Sequence, residues 1–377
     1  MKRLLFISTG LGIGGAEISL LNLLQHLDRD CFELHVVSLN GRGPIGERIE
    51  RLGIATTAFD FKRHPVRGLL GLHALVRRLR PHLVQTWMYH ADLLGGIVAR
   101  LAGVRAVVWG IRHSTLDPQS SRRSTRWIAK ACAAISGTVP RAAVSCSALA
   151  RDVHQVLGYR PARFEVIVNG FDLAQLRPDA GSREPVRAEL GLPPSSPLVL
   201  HVARYHPDKN HLGLVHAIGL VHRQRHDVQF ALVGQGVERG NAELDAAIDA
   251  AGIDAVVHRL GVRDDIARLM AAADTAVLSS ISEAFPRVLG EALACGLPCV
   301  ATDVGDCRAV VGDCGRIVPA KDSAALAAAV LDVLGSTPQQ RAQLQQCARQ
   351  RSVRLFDIRA VANRYAALYL QLIDSTE

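Results

Sequence analysis

Aromatic residues make up only 5% of the 377-residue chain, and it has 3 methionines and 8 cysteines. With so few aromatics and no recognition module, the basic-aromatic run Arg122-Arg123-Ser124-Thr125-Arg126-Trp127 does not read as a nucleic-acid surface. Eight cysteines in a chain of this length make no disulfide scaffold. No tight CxxC pair marks a zinc site, and Cys295, Cys299, Cys307 and Cys314 share a segment with no histidine nearby, so the cysteines read as buried reduced thiols. Also missing is any apolar run of the about 18 residues a membrane span needs. Met1-Lys2-Arg3 precedes only Leu4–Ile7, which stops at Ser8-Thr9-Gly10. That is too short for a secretory leader, and it reads as the first strand of a cytoplasmic protein. Acidic charge is scarce in the first half: residues 1–170 hold 23 basic and 11 acidic side chains, net +12, against −3 for residues 171–377. A large anionic partner would therefore meet the N-terminal half.

What is present is ordinary globular composition, 49% hydrophobic and 21% charged, in a length suggesting two or three domains of roughly 150 residues each. Short apolar runs alternate with helical periodicity: Leu4–Ile7, a helix over Ala16–Leu27, Leu34–Leu39, helices over Ile45–Leu52 and Leu69–Leu79, Leu83–Gln85, a helix over Ala91–Leu101, then Ala106–Trp109. This rhythm predicts parallel strands covered by helices on both faces. Residues 177–197 are linker-like, rich in Pro, Ser, Gly and charge, with Pro193-Pro194-Ser195-Ser196-Pro197 at their end. A second series starts at Leu198–Val202 and runs to Cys299–Ala301, and late helices are predicted over Ala324–Leu334 and Ile358–Ile373. The expected architecture is α/β, with two doubly wound, Rossmann-like domains facing across a cleft. Residues 1–170 form the first domain, 171–355 the second, and 356–377 a C-terminal helix that can pack back on the first. In such sheets ligands bind beyond the carboxyl ends of the strands.

Gly10, Gly12 and Gly15 satisfy GxGxxG between a strand and a helix, which taken alone favours a dinucleotide enzyme. The acidic residue that would hold the ribose is missing: the next strand ends in Asn40, with Arg42 beyond, and Glu33 lies at its wrong end. What remains is a small-residue loop at a helix N-terminus, suited to an anion. Asp28-Arg29-Asp30 has the form of a metal-diphosphate motif but sits between a helix and a strand, where a solvated turn is expected, and no metal site is assigned.

The richest segment is Ser282-Glu283-Ala284-Phe285-Pro286-Arg287-Val288-Leu289-Gly290-Glu291. Glu283 falls in a loop after a strand, and Glu291 on a helix starting near Pro286, whose first amides, around Arg287 and Val288, face an anion or a sugar hydroxyl. Upstream, Arg204 and Lys209 leave the first strand of the second half, a forked donor and a point charge that together suit a diphosphate.

These motifs, taken in order, resemble the retaining glycosyltransferases of family 4, which have the GT-B fold. Gly14-Gly15-Ala16-Glu17 resembles the family's glycine loop, and Val166-Ile167-Val168-Asn169-Gly170-Phe171-Asp172 its interdomain segment. Arg204 and Lys209 match its cations, Glu283 and Glu291 its paired glutamates, and Gly234-Gln235-Gly236 and Arg259-Leu260-Gly261 fall in register. The resemblance implies that Glu291 binds the ribose, Glu283 faces the donor sugar, and Arg204 and Lys209 hold the diphosphate. Amides near Phe285 and Pro286 would touch sugar or phosphate, Arg259–Gly261 would flank the base, and Gly15 would admit the diphosphate. His113 falls where many members place a histidine near the reacting sugar. Where a His-x-His pair is common this chain has Trp87-Met88-Tyr89-His90, so His90 and His113 both stand as candidates, with Arg112 on the acceptor side.

The activity implied is transfer of a hexosyl group, most often from a UDP-sugar, to a hydroxyl of a glycan or lipid-linked acceptor in cell-surface polysaccharide synthesis. Configuration is retained by front-face attack, and no cofactor is called for. The basic N-terminal half suits peripheral contact with anionic membrane. A sugar-nucleotide epimerase or hydrolase of the same fold, or a non-catalytic nucleotide-sugar binder, are the alternatives.

Overall fold

A computed structural model describes residues 1–114, 123–193 and 195–375; Arg122 of the basic run and Pro194 of the linker lie outside the described residues. The chain forms two compact units, Met1–Gly170 with Ile358–Glu377, and Phe171–Asp357. The second boundary therefore falls two residues beyond the expected position.

Among the described residues, unit 1 begins with β1 (Lys2–Ser8), α1 (Gly15–His26), β2 (Phe32–Ser38), α2 (Gly43–Arg51), β3 (Ala55–Ala58), α3 (Pro65–Leu79) and β4 (Leu83–Trp87). It continues with α4 (Gly96–Leu101), β5 (Ala106–Ile111), α5 (Arg123–Ile135), β6 (Ala142–Ser145), α6 (Ala148–Leu157) and β7 (Phe164–Val166). The seven strands are parallel in the order β3-β2-β1-β4-β5-β6-β7. Alternate strand residues feed two cores. Phe6 packs with Leu20, Ile45 and Tyr369 on one face, and Ile7 with Leu72, Val98 and Cys132 on the other. Each such side chain contributes about 1.5–3 kcal/mol when fully buried. The helix expected over residues 91–101 begins instead as a π turn, Ala91–Gly95, before α4.

Unit 2 contains α7 (Arg183–Glu189), β8 (Leu198–Val202), α8 (His211–Gln224), β9 (Gln229–Val233), α9 (Ala242–Ala251), β10 (Val257–Gly261), α10 (Ile266–Ala272) and β11 (Thr275–Leu278). There follow α11 (Arg287–Ala294), β12 (Cys299–Thr302), α12 (Cys307–Val311), β13 (Gly315–Val318), α13 (Ser323–Leu334) and α14 (Pro338–Phe356). Its sheet is parallel, ordered β10-β9-β8-β11-β12-β13. The polar α14, unread in the sequence, buries only Ala348, Ser352 and Phe356; Thr337 and Gln340 close a capping box at its start. Arg349 on it donates to the carbonyl of Ala294, at the end of α11 (2.6 Å).

The last helix, α15 (Ile358–Asp374), belongs to unit 1. Tyr365, Tyr369 and Leu372 enter the core around β1 and β4, and the Tyr369 hydroxyl donates to Gln85 Oε1 (2.9 Å).

One cysteine expectation is corrected. Cys314 and Cys347 form a disulfide that ties the turn before β13 to α14, and Cys31 is exposed, while Cys132, Cys146, Cys295, Cys299 and Cys307 are buried free thiols. The partner, Cys347, lies on the helix the sequence pattern did not reveal. No described helix is long and apolar enough to cross a membrane.

Candidate active site

In each sheet the strand order reverses beside the first strand, between β1 and β4 and between β8 and β11. The loops leaving the carboxyl ends of such a pair part to opposite sides and leave a ligand-binding crevice. In unit 2 these loops carry Arg204, Lys209 and Glu283. Lys209 ends a single 3-10 turn, Pro207–Lys209, and Asn210, in the left-handed region (φ 51°), starts α8 by accepting from the Gly213 amide (3.3 Å). The Lys209 ammonium forms an ion pair with Glu283, which also accepts from Ser280 Oγ (2.7 Å). Ser279 Oγ donates to the Lys209 carbonyl (2.8 Å) and the Ile281 amide to that of Asp208 (2.8 Å), so with the ion pair three contacts fasten one loop to the other.

Arg204 is exposed and has no ion pair among the described residues. Its loop is fixed from behind: the Ala203 amide donates to Val233 and the Tyr205 amide to Gln235 (2.7 Å). Gly234 (φ +141°) has to be glycine, because an added Cβ would overlap the Ala203 carbonyl. Glu291, one turn into α11, accepts from Arg287 (2.8 Å), whose guanidinium lies 5.1 Å from the centre of the Phe171 ring. This bond orients the Glu291 carboxylate through Oε1.

The structure adds detail at three of these positions. Pro286 is the N-cap, not the first helical residue, so the leading amides are those of Arg287 and Val288. The Phe285 side chain is buried against Phe171 and Phe356, which leaves its backbone for a ligand. Arg259 is buried in ion pairs with Asp245 and Asp254, so only the backbone of Leu260 and Gly261 is free of that duty; the Gly261 carbonyl accepts from Gly234 (2.7 Å). The sequence reading missed Gly305 (φ +54°), where an added Cβ would overlap the carbonyl oxygens of Glu283 and Ala284. A glycine just after the apolar run Cys299–Thr302 was the available sign.

In unit 1, Gly14 caps α1 and Gly15 opens it, both in the loop after β1. An added Cβ at Gly10 or Gly12 would meet nothing within 4 Å, so internal packing does not demand glycine there. Asn40 Nδ2 donates to the Thr9 carbonyl beside this loop (2.9 Å). His90 follows β4 and His113 follows β5. Desolvation lowers the pKa of both, with Lys62 adding to the effect at His90 and His90 adding to it at His113. Arg112, expected on the acceptor side, is instead turned inward. It lies 3.6 Å from the centre of the Trp87 ring and donates to Asn169 Oδ1 (3.3 Å) and the Tyr365 hydroxyl (2.5 Å). Asp28, of the DxD-like turn, accepts from the Asp30 amide (2.9 Å) and caps that turn.

Among the described residues no group of three or more His, Cys, Asp or Glu side chains is placed to hold a metal ion. A cavity of about 470 Å³ lies elsewhere in unit 2, lined by Pro178, Arg183, Cys295, Leu297 and Arg349, and contains none of the residues at the reversal point.

Residues 13–175 match the family model described as Glycosyltransferase Family 4, and residues 196–336 that described as Glycosyl transferases group 1. The chain belongs to the family 4, group 1 glycosyltransferases. A D-inositol 3-phosphate glycosyltransferase of Segniliparus rotundus is 35% identical over 164 residues, 41% of this chain; the match spans only 34% of that relative's length. The UDP-Gal:alpha-D-GlcNAc-diphosphoundecaprenol alpha-1,3-galactosyltransferase of Escherichia coli is 26% identical over 242 residues, 63% of this chain and 62% of the relative. Among solved structures, Anabaena Alr3699/HepE in complex with UDP superimposes with a TM-score of 0.87 at 23% identity, covering 98% of this chain and 100% of that one. The fold is GT-B, two parallel α/β sheets of seven and six strands.

Proposed function

We propose that the protein transfers a hexosyl group from a UDP-sugar to a hydroxyl of a glycan or lipid-linked acceptor with retention of configuration. The observation that carries this reading is the joining of Lys209 to Glu283 at the strand-order reversal of unit 2, with Arg204 exposed on the same loop. Arg204 and Lys209 hold the diphosphate and take up the charge that grows on it as the glycosidic bond breaks. Glu291, oriented by Arg287, binds the ribose hydroxyls. Glu283 faces the sugar, and the amides of Arg287 and Val288 supply neutral donors beside it. The departing phosphate oxygen accepts the acceptor's proton, so no carboxylate nucleophile is required.

UDP as the donor base is supported by the ligand named for HepE and the donor named for the Escherichia coli relative, and a lipid-linked acceptor by the latter. A cytoplasmic enzyme resting on anionic lipid fits the basic unit 1. There exposed Val66 and Leu70 lie on α3 beside Arg67, and exposed Trp127 on α5 lies beside Lys130.

The test is a thermal-shift screen with UDP-, GDP- and ADP-sugars, followed by turnover. Ligand at about 100-fold over Kd adds about 2.7 kcal/mol, and the shift should appear with the UDP series and vanish in Glu291→Ala. Arg204→Ala should lower kcat by ~10²-fold or more. Undiminished turnover of that variant at saturating donor would overturn the assignment.

A further inference from the structure

We propose that Tyr89 and His154 are positioning residues for His113, setting the plane of its imidazole. The inference rests on the reading of His113 as a group at the reacting sugar. Among the described residues the His113 ring makes no hydrogen bond, and its ring neighbour is Tyr89, which lies nearly parallel to it, 5.1 Å between centres and 18° between planes. Stacked rings favour this geometry, so the Tyr89 plane biases that of the imidazole.

Tyr89 is itself fixed at both ends. β4 stops at Trp87, and Met88 takes a left-handed conformation (φ 75°), rare for a residue with a side chain, which turns Tyr89 into the protein while His90 stays half-exposed. The Met88 amide donates to the Gly110 carbonyl (3.0 Å), and the Gly110 amide to Asp92 Oδ1 (3.2 Å). The chain segments carrying Tyr89 and His113 are thereby tied together by one backbone bond and one to the Asp92 carboxylate. At the far edge of the ring, the Tyr89 hydroxyl meets His154 Nε2 at 2.7 Å, and His154 Nδ1 meets the Ala150 carbonyl at 2.6 Å. A carbonyl only accepts, so Nδ1 carries the proton and Nε2 of the neutral ring accepts from the tyrosine. The series runs in one direction, from Tyr89 O–H to His154 to Ala150 O, and leaves the tyrosine one orientation. Tyr159 meets His154 edge to face at 4.8 Å. His154 touches no solvent, so its part in the reaction would be indirect.

The experiment uses the full-length protein. Turnover is read as UDP release from UDP-glucose for Tyr89→Phe and His154→Gln, each alone and combined with His113→Ala. His113 ring-proton resonances are followed by NMR in the same variants and in Tyr89→Leu, and thermal melts confirm that each is folded. The single variants should lower kcat about tenfold with KM for donor nearly unchanged, and neither should slow the His113→Ala protein further. In Tyr89→Leu the His113 ring protons should move downfield as the neighbouring ring current is lost. Equal slowing in both backgrounds, or unmoved His113 resonances, would overturn the positioning role. Wild-type turnover in His113→Ala would instead remove the reading of His113 itself.

Discussion

Lys209 and Glu283 are 74 positions apart in the chain, yet they form an ion pair where two adjacent parallel strands send their loops to opposite sides. Both are largely shielded, with 24% and 10% of their side-chain surfaces exposed, so removing one partner strands the other. Lys209→Met should cut kcat by ~10²-fold or more and lower the melting temperature. Adding Glu283→Gln should restore the melting temperature but not the turnover. Restoration of both would mean that the pair serves the fold alone.

Gly305 has no room for a methyl group, because its neighbours on that side are the backbone carbonyls of Glu283 and Ala284. Backbone cannot turn aside as a side chain can. Gly305→Ala should therefore destabilise unit 2 by about 1–3 kcal/mol and weaken UDP-sugar binding by displacing Glu283. Calorimetric titration and a melt of the variant check both; unaltered affinity would show that the Glu283 loop does not need this support.

Three buried histidines and one buried carboxyl give stability opposite dependences on pH. Burial lowers His154 and His211 to about 4 and His201 to about 3. The folded state thus favours the neutral rings, and the stability linked to them is complete above pH about 6.5 and is lost as pH falls toward 4. Asp92 runs the other way. It is fully buried, with Oδ2 unpartnered and Oδ1 bonded to Thr86 (2.5 Å), and burial pushes it up to about 7. Its contribution is complete below pH about 4 and is lost as pH rises through 7. Three histidines outweigh one carboxyl between pH about 4 and about 6.5, so melting temperature should rise across that window and level off above about pH 7, and Asp92→Asn should steepen the rise by removing the opposing term. An unaltered slope in Asp92→Asn would place the titration elsewhere.

The Cys314–Cys347 bond closes a loop 33 residues long in sequence. Chain entropy alone assigns such a loop about 3–4 kcal/mol. Reductant, or Cys347→Ser, should lower the melting temperature of unit 2, and intact-mass measurement should find the pair oxidised in the untreated protein. A melt indifferent to reductant would contradict the link.

The alternation of apolar runs and helical periods was enough to reveal both sheets, because their strands are buried on both faces and consist almost wholly of apolar residues. What escaped was amphipathic or short. β3, Ala-Thr-Thr-Ala at a sheet edge, has no apolar run, and the polar α14 has hardly a buried face. The residues at the reversal point of unit 2 were legible because glutamates, cations and glycines at loop positions carry chemistry in their identity. Arg112 and Arg259 were not: an arginine that stacks on tryptophan or answers two aspartates is spelled like one that waits for phosphate. Tyr89, His154 and Gly305 make contacts with residues remote in sequence, which no local pattern records.

The placement of α15 bears on how the protein is made. A ribosome releases the chain from its N-terminus, yet the core around Phe6 and Trp87 lacks Tyr365, Tyr369 and Leu372 until residues 358–374 emerge. Unit 2 is continuous, and its Phe171 amide already meets the Phe356 carbonyl at 2.8 Å. The second-made unit can therefore close while the first-made one still waits, reversing the usual order of vectorial folding. A premature stop shortly after residue 357 would then spare the later-synthesised half and damage the earlier.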